Sequence, residues 1–211
     1  LWIGALERIH QAGVTKLGAI HRGFSSFQKT AYRNVPKWEI PIELKATFPE
    51  IDIICDPSHI AGNRSLLATV AQKAMDLEMT GLMIESHINP DEAWSDAKQQ
   101  INPESLNELI GNLTIRSTEA SSFETSSELT AFRKIIDEID ESLIQTLVSR
   151  MALSEKIGQY KLDNNVTILQ IKRWEEIKKT RMEHGHSEGL NNEFVKNLLQ
   201  LIHKESIRQQ T

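Results

Sequence analysis

The stretch from residue 127 to residue 163, SELTAFRKIIDEIDESLIQTLVSRMALSEKIGQYKLD, contains no proline and constrains the rest of the chain more than any other. Phe132, Ile135, Ile136, Ile139, Leu143, Leu147, Met151 and Ile157 recur close to the three-and-four spacing of one buried helical face. The pattern predicts a single long helix. Thr125 followed by Glu128 fits a capping box at its start, where backbone N–H groups lack partners. Such a helix spans roughly 50 Å, longer than one small core can wrap, so a partner chain is expected and with it a homodimer built on this helix.

With 211 residues the chain holds one large domain or two modest ones. The net charge of −5, with Lys and Arg interspersed among acids, speaks against nucleic acid as a partner. No apolar run is long enough to span a bilayer and no targeting signal opens the sequence, so no membrane is expected. The single cysteine, Cys55, suits a reducing cytoplasmic location. The chain opens on LWIGALERIHQAG, a helix already under way without a starting Met, and residues upstream are therefore expected to be missing.

Residues 1–115 alternate helical and strand-like segments. Helices are predicted to about residue 12, near 38–47, over 65–79 and over 104–112, with strands near 16–20, at IDIICDP and at GLMIESH. This is a run of βα units on a parallel sheet, the last portion of a barrel. Chemistry in such folds collects at the C-terminal ends of strands. Arg22, His59 and Glu85 fall there, and Asp96 lies in the loop beyond. An imidazole and two carboxylates suit a divalent cation. Taken residue by residue, the plainer reading of each is a satisfied polar group in a loop.

HRGFS, CDPSHIAGNRS and IESHINPDEAWSDAKQQ, in that order, resemble the C-terminal part of 3-deoxy-D-arabino-heptulosonate 7-phosphate (DAHP) synthase, across essentially all of residues 1–115. The resemblance implies part of a TIM barrel that condenses phosphoenolpyruvate with erythrose 4-phosphate using a divalent metal (Mn, Fe, Co or Zn). On that match His59, Glu85 and Asp96 are metal ligands. Arg22 holds the phosphate of phosphoenolpyruvate, a role suited to a planar donor fork. The family's cysteine ligand and active-site lysine belong to earlier strands, so residues 1–115 alone are not expected to catalyse the condensation. Cys55 reads as a small buried apolar side chain. His87 either orients Glu85 or simply packs. His10, His184, His186 and His203 read as surface or helix-end residues.

Residues 116–127, with STEASSFETSS, read as a linker too polar to order itself. Residues 128–211 show three helices and no strand: the long one, a second near 168–183 and a third near 191–210, with the glycines of GHSEGL as stop signals between the last two. Arg133 and Arg150 lie roughly 25 Å apart along the helix axis and about 100° apart around it, so one small ligand cannot bridge them within a chain. Arg150 and Lys161 lie roughly 16 Å apart and within about 20°, so long side chains leaning together can grip a small polyanion. Ser206 and Gln210 share a face of the third helix.

This constellation resembles the all-helical chorismate mutases over residues 129–211. The resemblance rests on Arg133 in LTAFRKIIDEID, Arg150 in LVSRM, Lys161 in GQYK, Arg173 in ILQIKR, and Ser206 and Gln210 in LLQLIHKESIRQQ. It implies that chorismate rearranges to prephenate without a cofactor. Arg150 and the partner's Arg133 would bind the two carboxylates, Lys161 and Gln210 would donate to the ether oxygen, and Ser206 and Arg173 would complete the pocket. The family often has a glutamate where this chain has Trp174; Glu175 either takes over its role or the substrate hydroxyl is held less firmly. The expected whole is a bifunctional enzyme of aromatic amino-acid biosynthesis. Two rivals stay open: a regulatory dimer that binds chorismate or prephenate to control the synthase allosterically, and a purely structural dimeriser.

Overall fold

The structure, a computed structural model, describes residues 2–27, 29–116 and 123–211, with side chains in the long helix described from residue 127. The chain divides into two compact units, Leu1–Thr118 and Glu119–Thr211, considered separately. Among the described residues, no helix is long and apolar enough to cross a membrane.

In the first unit, α1 (Trp2–Gln11) leads to β1 (Gly18–His21), α2 (Glu39–Thr47), β2 (Asp52–Cys55), α3 (Pro57–Ala61), α4 (Leu67–Asp76), β3 (Gly81–Leu82) and α5 (Pro103–Gly111). The strands form one parallel sheet in the order β1-β2-β3, with Gly18 opposite Asp52 and Ile54 opposite Gly81. Crossover connections through helices make such parallel pairing possible. Ile53 and Cys55 are fully buried and, with Ala19, meet Leu67, Val70 and Ala74 of α4 in the core. Burial of Cys55, reinforced by neighbouring Asp56, pushes its thiol up to about 12, in keeping with an inert packing group. His21, 1% exposed, is enclosed by the rings of Trp2, Phe24 and Trp38, and neither of its nitrogens has a hydrogen-bond partner among the described residues. Burial holds its pKa down at about 4, outweighing the opposing effect of Glu39.

Two expectations for this unit are corrected. GLMIESH does not continue as a strand: only Gly81–Leu82 pairs, and after Met83 N–H donates to Cys55 O the chain leaves β2 and bridges Ser86 to Ile101. Residues 57–61, read as the end of the IDIICDP strand and the loop after it, form α3, with Asp56 as N-cap and Pro57 in its first turn, where a missing N–H costs nothing. Of the two readings of His87, no hydrogen bond to Glu85 is seen among the described residues; its Nδ1 lies 2.7 Å from Asn89 O.

The second unit consists of α6 (Phe123–Asp163), α7 (Ile171–Ser187) and α8 (Asn192–Gln210). Its first helix starts four residues ahead of the expected point, so Thr125 lies inside it; the expected capping box rests on the Thr125 side chain, which lies outside the described residues, as do residues 117–122 of the expected linker. The later part of α6 packs on α8, which also packs on α7. By contrast, every residue from 127 to 146 is exposed. Gly185 does not stop the second helix. It lies buried within α7, where the absent Cβ leaves room for Val195. The stop is Gly189, whose φ of +84° suits glycine.

Candidate functional site

Two polar constellations arise, one in each unit. In the first, the chain turns from β2 directly into α3, and Asp56 anchors the turn. Its Oδ1 accepts the His59 backbone N–H at 3.0 Å and its Oδ2 lies 2.7 Å from His59 Nδ1, while Arg22 Nε approaches that same oxygen at 3.5 Å. With Nδ1 occupied, Nε2 is the ring atom left to face a ligand. It stands 3.8 Å from Glu85 Oε1 and 3.8 Å from Asp96 Oδ2, and one donor atom from each residue falls within 4.8 Å of the others.

The far oxygens of both carboxylates are held from behind. Arg33 Nη1 donates to Asp96 Oδ1 at 2.8 Å and to Gln99 Oε1 at 2.8 Å, and Gln99 Nε2 donates to Glu85 Oε2 at 2.7 Å. Gln99 is 1% exposed, so the network has a rigid centre. Outer hydrogen bonds of this kind orient metal ligands and fix which atoms face inward. One nitrogen and two carboxylate oxygens, converging with outer partners satisfied, fit a divalent cation. The structure thus brings Arg22, His59, Glu85 and Asp96 to one end of the sheet. Sequence reasoning missed Asp56, Arg33 and Gln99. Only Asp56 had a local signal, an Asp-Pro helix start.

In the second unit, a pocket of about 300 Å³ opens where α6, α7 and α8 meet. Arg150, Lys161, Arg173, Ser206 and Gln210 all line it, and no carboxylate does among the described residues. Arg150 Nη1 donates to the buried Ser206 Oγ, which in turn donates to Ile202 O at 2.8 Å. Burial lowers the Arg150 pKa, so a counter-anion is wanted here. Lys161 Nζ donates to Ile168 O at 2.7 Å and to Gln210 Oε1 at 3.0 Å, which leaves the Gln210 amide hydrogens to donate elsewhere. Arg173 pairs with Glu176 at 2.7 Å on an exposed face.

Glu175 is not among the residues lining this pocket, and Arg133 is not either; both are exposed. His203, read as a surface residue, instead lines the pocket and stacks on Trp174. No sequence signal marked it, because histidine on the polar side of an amphipathic helix looks like any solvated group.

Comparisons with known proteins divide the chain at the same region. The family model of the DAHP synthetase I family matches residues 2–119, and that of chorismate mutase type II matches residues 132–211. A phospho-2-dehydro-3-deoxyheptonate aldolase from Thermotoga maritima is 32% identical over 104 residues, covering 49% of this chain and 30% of the relative. A bifunctional chorismate mutase/prephenate dehydratase from Buchnera aphidicola subsp. Acyrthosiphon pisum is 33% identical over 85 residues, covering 40% of this chain and 22% of the relative. Among solved structures, a truncated form of 3-deoxy-D-arabino-heptulosonate 7-phosphate synthase from Thermotoga maritima shares 31% identity over 50% of this chain and 39% of that one, with a TM-score of 0.44. The chain spans less than a third of the length of both curated relatives.

Proposed function

Since the chain belongs to the DAHP synthetase I family through residues 2–119 and matches chorismate mutase type II over 132–211, we propose that it is a bifunctional enzyme of aromatic amino-acid biosynthesis. In this reading the helical unit converts chorismate to prephenate and the barrel portion serves DAHP synthesis. The observation that carries the mutase half is the pocket that gathers Arg150, Lys161 and Arg173 with no carboxylate among its described lining residues.

The rearrangement of chorismate is a single pericyclic step, so the protein has no bond of its own to make. It must hold a dianion in a compact conformation and stabilise charge growing on the ether oxygen. Arg150, already braced by Ser206, binds one carboxylate. Lys161 and the free amide of Gln210 donate to the ether oxygen, and Arg173 and Ser206 complete the pocket. The second carboxylate goes to the partner's Arg133. That assignment, and the homodimer it needs, is supported by the exposure of Phe132, Ile135, Ile136 and Ile139 on α6. The regulatory action of prephenate on the synthase belongs to the same proposal.

A chorismate-to-prephenate absorbance assay on this chain tests the reading, and no turnover at saturating chorismate would sink it. An amide donates at any pH, so the rate should be nearly flat between about pH 6 and 8, whereas Gln210→Glu should lose about tenfold per pH unit above the new carboxyl's pKa. A variant as flat as the wild type would remove Gln210 from the ether oxygen.

In the barrel portion, we assign His59, Glu85 and Asp96 as ligands of a divalent metal, taken as Mn, Fe, Co or Zn, and Arg22 as a phosphate clamp for phosphoenolpyruvate. When bound, the metal would polarise the aldehyde of erythrose 4-phosphate. Asp56 keeps the His59 ring turned, and Arg33 with Gln99 holds both carboxylates in place. Gln99→Ala should weaken Mn²⁺ binding about 10–100-fold, the usual cost of losing an outer partner. Calorimetry showing unchanged affinity would count against the ligand set.

A further inference from the structure

Trp174 of α7 and His203 of α8 form a stacked pair, with ring centroids 3.9 Å apart and planes 10° from parallel. Both line the pocket that holds Arg150 and Lys161. The remaining polar groups of that pocket are mostly donors or already engaged. The three cations have no lone pair to offer. Gln210 Oε1 accepts from Lys161 and Ser206 Oγ accepts from Arg150, while the buried Ser154 hydroxyl is turned to Arg150 O. Gln170, also at the rim, has an exposed side chain free to turn to water. His203 differs from all of these: it is half-buried, one ring face is fixed against an indole, and neither ring nitrogen bonds to a described residue.

We propose that Trp174 positions His203 as the hydrogen-bond acceptor for the ring hydroxyl of the dianionic substrate, making the pair a determinant of specificity for hydroxylated over deoxy substrates. The proposal rests on the mutase reading of the pocket. A neutral imidazole keeps one nitrogen as acceptor, whereas the protonated ring only donates. Burial, and after it the charge of Arg150, lowers the pKa of His203 and keeps the ring in its accepting form at neutral pH. The charged groups that share the pocket are Arg150 and Lys161 from α6 and Arg173 from α7, all cations, while the group from α7 stacked on the ring is the uncharged Trp174. Stacking adds what a lone histidine lacks, a fixed ring plane that gives the lone pair a direction.

The test compares chorismate with its analogue lacking the ring hydroxyl, on the full chain. Wild type should prefer chorismate by about tenfold or more in kcat/KM. His203→Ala should bring that preference to within about twofold, Trp174→Phe should keep it and Trp174→Ala should shrink it. The wild type carries a second reading that needs no variant: its preference should fade as the pH drops below the ordinary histidine range, while turnover of the deoxy analogue stays level. A His203→Ala enzyme that discriminates like wild type overturns the proposal, as does a wild-type preference unchanged on acidification. Wild type that converts both compounds equally overturns this proposal alone. Wild type that converts neither overturns the mutase reading and this one with it.

Discussion

Replacing Arg150 with alanine should lower chorismate turnover by roughly 10³-fold or more while leaving the helical circular-dichroism signal in place. The size follows from geometry. Arg150 is half-buried in the pocket, and its guanidinium is braced by Ser206, which is itself tied to Ile202 O. A braced charge needs no reorganisation when the substrate carboxylate arrives, so its full interaction is realised in the transition state. The fold should survive because Arg150 makes no ion pair among the described residues, and removing its partly buried charge relieves a desolvation cost. Retained turnover in the variant would refute the site.

The same residue supports a test of the dimer. Arg133→Ala should be as inactive as Arg150→Ala if the partner's Arg133 completes each pocket. Mixing the two variants then places an intact Arg150 and an intact Arg133 at one of the two pockets of every heterodimer. Random exchange at equal amounts should restore about a quarter of wild-type activity per chain. No recovery after verified subunit exchange would show that both arginines serve within one chain, which the roughly 25 Å between them along α6 makes hard to envisage.

What could be seen in the sequence and what could not divides along physical lines. The long helix was legible because its apolar spacing is local and repeated, and α4 likewise. Within one helix a rigid rod converts sequence distance into position, which related Arg150 to Lys161 and Ser206 to Gln210, whereas the resemblance was needed to join these pairs and Arg173 in one pocket. Short elements escaped. Five residues of α3 are too few to show a period, and the apolar run after Gly81 reads as a strand although its pairing with β2 ends within two residues. Contacts between distant segments escaped as well. Arg33 reaches Asp96 and Gln99 across more than sixty residues, and nothing near Arg33 signals it. His203 was misread for a related reason: its burial comes from Trp174 on another helix, not from the spacing of its own.

Gly158→Ala should cost catalysis far more than stability. Gly158 sits within α6 where α8 crosses it, and a Cβ there would lie 2.7 Å from Gln210 Cα and 2.9 Å from Gln210 O. Alanine normally favours a helix interior over glycine by about 1 kcal/mol. Overpacking against backbone costs about 1–3 kcal/mol, so the net loss of stability should be no more than about 2 kcal/mol. Relief of the clash requires the last turn of α8 to shift outward by roughly 1 Å, and a misplacement of that size at a reacting centre can cost about 100-fold in rate. The shifted residue is Gln210, whose amide is assigned to the ether oxygen. Gly158→Ala and Gln210→Ala should therefore be strongly non-additive, the double variant being little worse than Gln210→Ala alone. Additive losses in kcat would mean that Gly158 acts on something other than Gln210, and wild-type turnover in Gly158→Ala would show that the close approach of α6 and α8 is not what holds the amide in place.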